Sequence, residues 1–399
     1  MLEKSKISYG EFVLIVAFLM SLTALSIDTM LPALSVIGED LHVKHPNDAQ
    51  LIISTVFLGI AVGMVLYGPL SDSYGRKPAL YLGLSFFIVG CLISLMATSL
   101  FGMLVGRFLQ GFGAASPRVV NMALVRDRFE GRSLAQVMSF SMTLFIFIPA
   151  VAPLLGQGIL SYFEWRAIFA VFIIFAVFIL LWFGFRMEET LAFEKRRAFH
   201  IGVILEGAKE TLTNRIVFGY TLVLSLILGA FIGYLSSVEQ VFHDIYHAGD
   251  RFPLYFAMMA LSLGFASFLN GKLVLRYGTR NLGKKAMKLM IFLSFLFLPI
   301  GYIYDGTPSL WLSMIYFMAT FFSVGMLFGN LNAMAMEPLG HIAGIGAAII
   351  GSVSTLLSVP IGVFIGQMYN GTLYPLVLGF LFVGIFSFIL MGFVEKFRV

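Results

Sequence analysis

Two apolar runs, 49–70 and 79–98, are joined by the tight polar turn Gly68-Pro69-Leu70-Ser71-Asp72-Ser73-Tyr74-Gly75-Arg76-Lys77-Pro78. Each run is long enough to cross a bilayer, since ~20 apolar residues rising ~1.5 Å each span its hydrocarbon core. A short loop carrying Asp72, Arg76 and Lys77 at that junction is a polar hinge at a membrane face. A shorter version returns half a chain later. Gly271-Lys272-Leu273 and Tyr277-Gly278-Thr279-Arg280 repeat the pattern at a constant offset of 203 residues. A repeat of half the chain length is a common building plan among membrane carriers.

Composition points the same way. Hydrophobic residues make up 59% of the chain and charged residues 12%, with a mean hydropathy of +0.94. Soluble domains run at about 45–50% apolar and ~25% charged. Cores of ordinary size could not hide the excess, so the bilayer is the solvent that accommodates it. Backbone groups in lipid must be satisfied within each segment, which selects helices. A membrane barrel is disfavoured, because the runs are continuous rather than alternating. The single Cys91 allows no intrachain disulfide, and the six His residues show no metal-ligand spacing, so no metal and no cofactor are expected. The pI of 9.2 raises the question of nucleic acid, but the basic residues are scattered over many short loops. No nucleic-acid partner is expected. The first run, from about residue 12 to 36, is too long for the core of a cleaved leader and contains Asp28, so it reads as a span.

The expected fold is an all-α membrane protein of twelve transmembrane helices in two pseudo-symmetric six-helix bundles. The first six spans lie near 10–36, 49–70, 79–98, 100–125, 134–160 and 166–186. The second six lie near 215–239, 252–275, 284–304, 309–336, 344–368 and 373–394. The longest polar stretch between spans divides the chain into an N-terminal bundle (1–187), a linker (188–214) and a C-terminal bundle (215–399). The linker, with Glu188, Glu189 and the Lys195-Arg196-Arg197 cluster, reads as an amphipathic surface segment without chemistry of its own.

Of the 26 Lys and Arg residues, 21 fall in the termini and loops of one face. Only Lys44, Arg166 and Arg251 fall on the other, while Arg107 and Arg118 lie inside a span. The positive-inside rule then places both termini and the linker in the cytoplasm.

Charges within the spans are the candidate functional residues. Asp28 lies inside the first, in Ser26-Ile27-Asp28-Thr29-Met30-Leu31-Pro32. A carboxylate at that depth costs ~2.5–3.5 kcal/mol even on a lenient scale, so it should meet a cavity or a partner. Burial favours the neutral carboxyl and a nearby cation favours the ionised one, so a group under both influences can load and release a proton. A structural carboxylate capped by Ser26 or Thr29 is the alternative. Pro32 should kink the helix nearby. In the fourth span Arg107, Gly111, Ala114, Arg118 and Asn121 share one helical face, with Gln110 beside Arg107. Two arginines and an asparagine on one face should line an aqueous path or pair with carboxylates; the alternative has the arginines snorkelling to opposite interfaces. Glu239 and Glu337 end the seventh and tenth spans and read as interfacial, and Asn330 and Asn332 are candidates for bonds between helices.

Several local motifs, in order, resemble those of twelve-helix drug–proton antiporters of the major facilitator superfamily, close to the bicyclomycin and chloramphenicol resistance type. They are Asp28-Thr29-Met30-Leu31-Pro32-Ala33-Leu34, the 68–78 turn, Arg107-Phe108-Leu109-Gln110-Gly111 and Val125-Arg126-Asp127. Ala152-Pro153-Leu154-Leu155-Gly156, Trp165-Arg166-Ala167-Ile168-Phe169 and Glu189-Thr190-Leu191 also match. Weaker echoes are Asn332-Ala333 and Ala343-Gly344. The resemblance implies that Asp28 is a proton or substrate site with Arg107 as its electrostatic partner. It implies that Arg76 pairs with Asp127 in a cytoplasmic gate, with Asp72 against a helix terminus of the C-terminal bundle. It also implies that Pro153, Gly156 and Gly158 bend the fifth helix. Three departures stand out. Ser73 replaces the basic residue usual in the turn. Ala152 and Gln157 stand where the fifth-helix motif commonly has glycine, and Arg118 where the group often has a small residue.

The expected function is secondary active efflux: proton-coupled antiport of small amphipathic molecules or drugs by alternating access, with 15% aromatic residues and 21 Met suiting an adaptable apolar cavity. Arg107 and Arg118 against Asp28 leave the candidate cavity (Gln110, Gly111, Ala114, Arg118, Asn121, Asn330) formally positive, which favours as an alternative an anionic or zwitterionic metabolite such as a carboxylated siderophore. A non-transporting sensor or scaffold is a distant third. No catalytic constellation is present. The expected partners are a small-molecule substrate, protons and the lipid bilayer, and the expected setting is a monomer in a bacterial inner membrane.

Overall fold

A computed structural model describes residues 7–196 and 201–397. Lys4, Lys6, Arg197 and Arg398, counted above for topology, lie outside the described residues. Fourteen helices follow in order, and no strand occurs among the described residues. In the N-terminal half they are α1 (Tyr9–Asp28), α2 (Leu34–Asp40), α3 (Leu51–Tyr74), α4 (Arg76–Leu95), α5 (Leu100–Arg128), α6 (Gly131–Leu160) and α7 (Arg166–Arg186). Then come α8 (Ile201–Thr213), α9 (Arg215–Gln240), α10 (Phe252–Tyr277), α11 (Thr279–Ile303), α12 (Leu310–Met336), α13 (Ala343–Gln367) and α14 (Tyr374–Glu395). Taking α1 and α2 as one interrupted span and α8 as a linker helix leaves twelve spans.

The first span departs from the continuous rod expected over 10–36. Pro32 has no N–H to return to the Asp28 carbonyl, so the α-helical ladder stops there. Two turn residues, Thr29 and Met30, are followed by one 3₁₀ turn at Leu31–Ala33, and the helix resumes at Leu34.

The chain divides into two compact units. Unit 1 comprises Met1–Met30 and Thr55–Ile204; unit 2 comprises Leu31–Ser54 and Leu205–Val399. Its first boundary falls at the break in the first span. Within unit 1, α4 packs along α5 through small residues. A Cβ on Gly90 would stand 2.3 Å from the Gln110 amide nitrogen, so only glycine permits this approach. On the far side of α5, Gly111 lies as close to α3: a Cβ there would meet the Val56 carbonyl oxygen at 2.1 Å. Within unit 2, α9 packs on α13 and α14, and α12 on α10 and α11. Residues 31–54 join unit 2 because Ser35, Asn47, Gln50 and Ser54 bond to side chains and carbonyls of α9, α13 and the turn after α13.

Candidate functional site

Asp28 is the last residue of α1 and is buried at 6% exposure. Among the described residues nothing donates a hydrogen bond to its carboxylate and no cation pairs with it. The neighbouring Thr29 hydroxyl is likewise buried without a hydrogen-bond partner there. Packed against this point is the fifth span. A Cβ on Gly156 would stand 2.1 Å from the Thr29 carbonyl oxygen, so α6 touches the first span with its backbone. Pro153, one turn earlier, lies inside α6, and Gly158 faces open space. The break, the carboxylate and the fifth-span glycine therefore form one constellation.

Arg107 is fully buried. Its Nη2 donates to the Ser26 carbonyl oxygen at 3.0 Å, its Nη1 donates to Gln110 Oε1 at 2.5 Å, and the Phe169 ring lies 5.9 Å from the guanidinium carbon. Gln110 Nε2 in turn approaches Cys91 Sγ at 3.2 Å. The expected contact with Asp28 is replaced by one to the backbone two residues earlier. Arg107 thus braces the end of α1 rather than neutralising its carboxylate. The small and polar residues of the same α5 face behave alike. Gly111 abuts Val56, the Ala114 carbonyl accepts from Thr23 Oγ1 at 3.1 Å, and Asn121 Nδ2 donates to the Val16 carbonyl at 3.2 Å. That face meets neighbouring helices, because small residues attract close backbones as readily as they admit a ligand. Arg118, one residue beyond Pro117, differs: it is exposed and carries no ion pair among the described residues.

At the turn before α4, Arg76 is 6% exposed and saturated with acceptors. Its Nε donates to Asp127 Oδ2 at 2.8 Å, and its Nη1 donates to Asp72 Oδ1 at 2.5 Å and to Ser71 Oγ at 2.7 Å. Asp72 therefore faces Arg76 inside unit 1. Sequence reasoning missed Glu189, which lies in the segment read as having no chemistry. Its two carboxylate oxygens accept from the backbone N–H groups of Arg76 (2.9 Å) and Lys77 (3.0 Å), the first turn of α4. An anion at a helix N-terminus satisfies orphan donors and the dipole together. Gly75 permits this, with φ at 111° and a carboxylate oxygen 2.4 Å from where a Cβ would sit. Thr190 Oγ1 adds a bond to Asp127 at 2.9 Å, and Lys77 Nζ donates to the carbonyls of Gly184 and Met187 at the end of α7. The only sequence signal was the Glu189-Thr190-Leu191 match, which carried no geometry.

The half-chain repeat has its own ion pair in unit 2. Arg280, equivalent to Lys77 by the 203-residue offset, pairs with Glu337 at the end of α12. Asn330 exchanges bonds with Asn270, its Nδ2 donating at 2.8 Å, and so ties α12 to α10. Glu239, in the last turn of α9, is buried at 4% exposure and accepts from Ser35 Oγ at 2.6 Å. An apolar groove on α11 and α14, lined by Phe295, Pro299, Tyr302 and Tyr374, brings no carboxylate or basic side chain and lies outside this chemistry.

A sequence profile of the Major Facilitator Superfamily matches residues 16–363. An uncharacterized MFS-type transporter, YdgK, of Bacillus subtilis is 30% identical over 364 residues, covering 90% of each chain. A bicyclomycin resistance protein homolog of Haemophilus influenzae is 31% identical over 370 residues, covering 92% of this chain and 91% of its own. Among solved structures, the xylose transporter XylE from E. coli in a partially occluded inward open conformation superposes with a TM-score of 0.72 at 12% identity, covering 97% of this chain and 99% of its own. That last likeness concerns the fold alone.

Proposed function

The chain belongs to the Major Facilitator Superfamily, an all-α membrane fold of twelve spanning helices, and from that premise we propose that it is a proton-coupled exporter of small amphipathic molecules. It is an integral membrane transporter and not an enzyme. Antiport with protons is the finer reading, and one observation carries it. Asp28 is buried at the interruption of the first span, with no hydrogen bond or ion pair among the described residues. An ionisable side chain kept at membrane depth marks an ion or substrate path, and broken helices are where carriers hold coupling ions. Arg107 and Gln110 position the segment that bears it, through the Ser26 carbonyl. The Arg76–Asp127–Asp72 group and the Glu189 cap hold the cytoplasmic turn in one geometry. We place both termini in the cytoplasm of a bacterial inner membrane, on the basic-residue asymmetry, and take the working unit to be a monomer.

Arg118 favours a second reading of the cargo. An exposed guanidinium without an ion pair among the described residues suits an anionic or zwitterionic compound over a lipophilic cation. Uptake into inverted vesicles of matched cationic, neutral and carboxylated compounds, with and without a protonophore, tests both. Protonophore-sensitive uptake supports export by antiport. A preference for carboxylated compounds that Arg118→Ala abolishes supports the anionic cargo; movement of lipophilic cations alone removes it.

A further inference from the structure

Glu239 occupies the last turn of α9, the negative end of that helix's dipole, and is buried at 4% exposure. Its single hydrogen bond among the described residues comes from Ser35 Oγ at 2.6 Å. Ser35 belongs to α2, just past the break that bears Asp28. Neutral bonds also hold the same segment in unit 2. Gln50 Nε2 donates to Gln240 Oε1 at 2.5 Å, and Asn47 Nδ2 donates to the carbonyls of Gln367 (3.1 Å) and Tyr369 (2.9 Å). Gln367 Nε2 returns a bond to the Asn47 carbonyl at 2.8 Å, and Ser54 meets Ser236 at 3.3 Å. Among the described side-chain bonds between this segment and α9, the Ser35–Glu239 bond has an acceptor that can change charge.

Past Glu239 the helix widens into a π turn, Val241–Ile245, whose His243 and Asp244 are exposed. His243 Nδ1 lies 3.0 Å from Asp244 Oδ1, and Tyr369 donates to Asp244 Oδ2 at 3.3 Å. Among the described residues, the charged groups that act on Glu239 are His243 and Asp244 from this turn and Glu39 from α2, with the Tyr369 hydroxyl from the turn after α13. His243 stands one turn from the buried carboxylate on the side open to water.

We propose that Glu239 is a second proton-binding site, reached from the membrane face opposite the termini by way of the His243–Asp244 pair, and that its proton loosens the hold of residues 31–54 on α9 and α13. A proton from water converts the carboxylate to a neutral acid. The charge-assisted bond from Ser35 then becomes a neutral one of roughly half the strength. What remains is a clasp of amides and hydroxyls, which water can replace. The inference deepens the proton-coupled reading and rests on it, giving the carrier a regulated clasp distinct from Asp28.

The test is the accessibility of a cysteine placed in the clasp, Ser54→Cys, to a membrane-impermeant thiol reagent. Native Cys91 is buried and serves as the blank. Rates are normalised at each pH to Lys44→Cys, an exposed position on the same segment, which removes the intrinsic pH dependence of the thiol. Normalised labelling should rise about five-fold on acidification, the ratio expected when a charge-assisted bond becomes neutral. In Glu239→Gln and in Ser35→Ala it should be high at every pH. In Asp28→Asn the pH dependence should persist. Labelling that does not respond to pH in the parent, or an unchanged pH response in Glu239→Gln, overturns the proposal. Failure of the proton-driven reading would appear in efflux with the labelling pattern intact; failure of the clasp would appear in labelling with efflux intact.

Discussion

Gly156 sits so close to Thr29 that a Cβ would stand 2.1 Å from the Thr29 carbonyl oxygen. The fifth span therefore supports the broken first span through bare backbone, one residue past Asp28. Gly156→Ala must push α6 away or distort the break, and overpacking of this kind costs ~1–3 kcal/mol. Thermal unfolding in detergent should drop for Gly156→Ala, with loss of transport. Gly158→Ala, which meets nothing within 4 Å, should be neutral or slightly stabilising.

Arg76 and Asp127 should behave as a coupled pair. Removing one partner of a fully buried ion pair costs about 3–5 kcal/mol, and this pair, with Arg76 buried and Asp127 partly exposed, should fall below that range. Arg76→Ala and Asp127→Ala are each expected to destabilise unit 1, and the double variant to cost less than their sum. Arg76→Lys should not rescue, because an ammonium cannot serve Asp127, Asp72 and Ser71 in the fork geometry observed. A double-mutant cycle on thermal stability checks this.

Glu189 should prove structural although it lies far from Arg76 in sequence. Glu189→Ala removes acceptors from two N-terminal amides of α4 and should cost ~0.5–2 kcal/mol, as cap losses do. Glu189→Gln keeps one acceptor and should lose less. Gly75→Ala should be worse than either, since φ is 111° and the carboxylate blocks the added carbon. Limited proteolysis of the segment after α7 provides a second readout.

Topology gives a prediction independent of these contacts. With 21 basic residues on one face, a fluorescent protein fused after Val399 should fold and emit, and alkaline phosphatase at the same point should be inactive. Phosphatase activity there would reverse the assignment of faces.

Legibility in the sequence followed the range of the interaction. Helices, loops and the buried carboxylate of Asp28 come from local apolar runs and the charge that interrupts them. Pro32 announced a disturbance, and the structure makes it a full interruption, because the missing N–H coincides with the start of the segment that joins unit 2. The shared face of Arg107, Gly111, Ala114 and Asn121 was legible as a face. Helical periodicity does not say what a face meets, and here it meets helices. Glu189 was invisible as a cap: its partners lie more than a hundred residues earlier, and the Glu189-Thr190-Leu191 match says nothing of where its carboxylate goes. That Glu239 is buried was not legible either, because Ser35, which bonds to it, comes from the other half of the sequence.

Asp28→Asn in proteoliposomes separates proton coupling from substrate binding, with substrate exchange and proton-gradient-driven transport measured on the same preparation. Asparagine preserves shape and burial but cannot carry the proton. Substrate exchange should continue while uphill transport and substrate-linked proton movement fall to background. Undiminished uphill transport by Asp28→Asn would remove Asp28 from proton coupling.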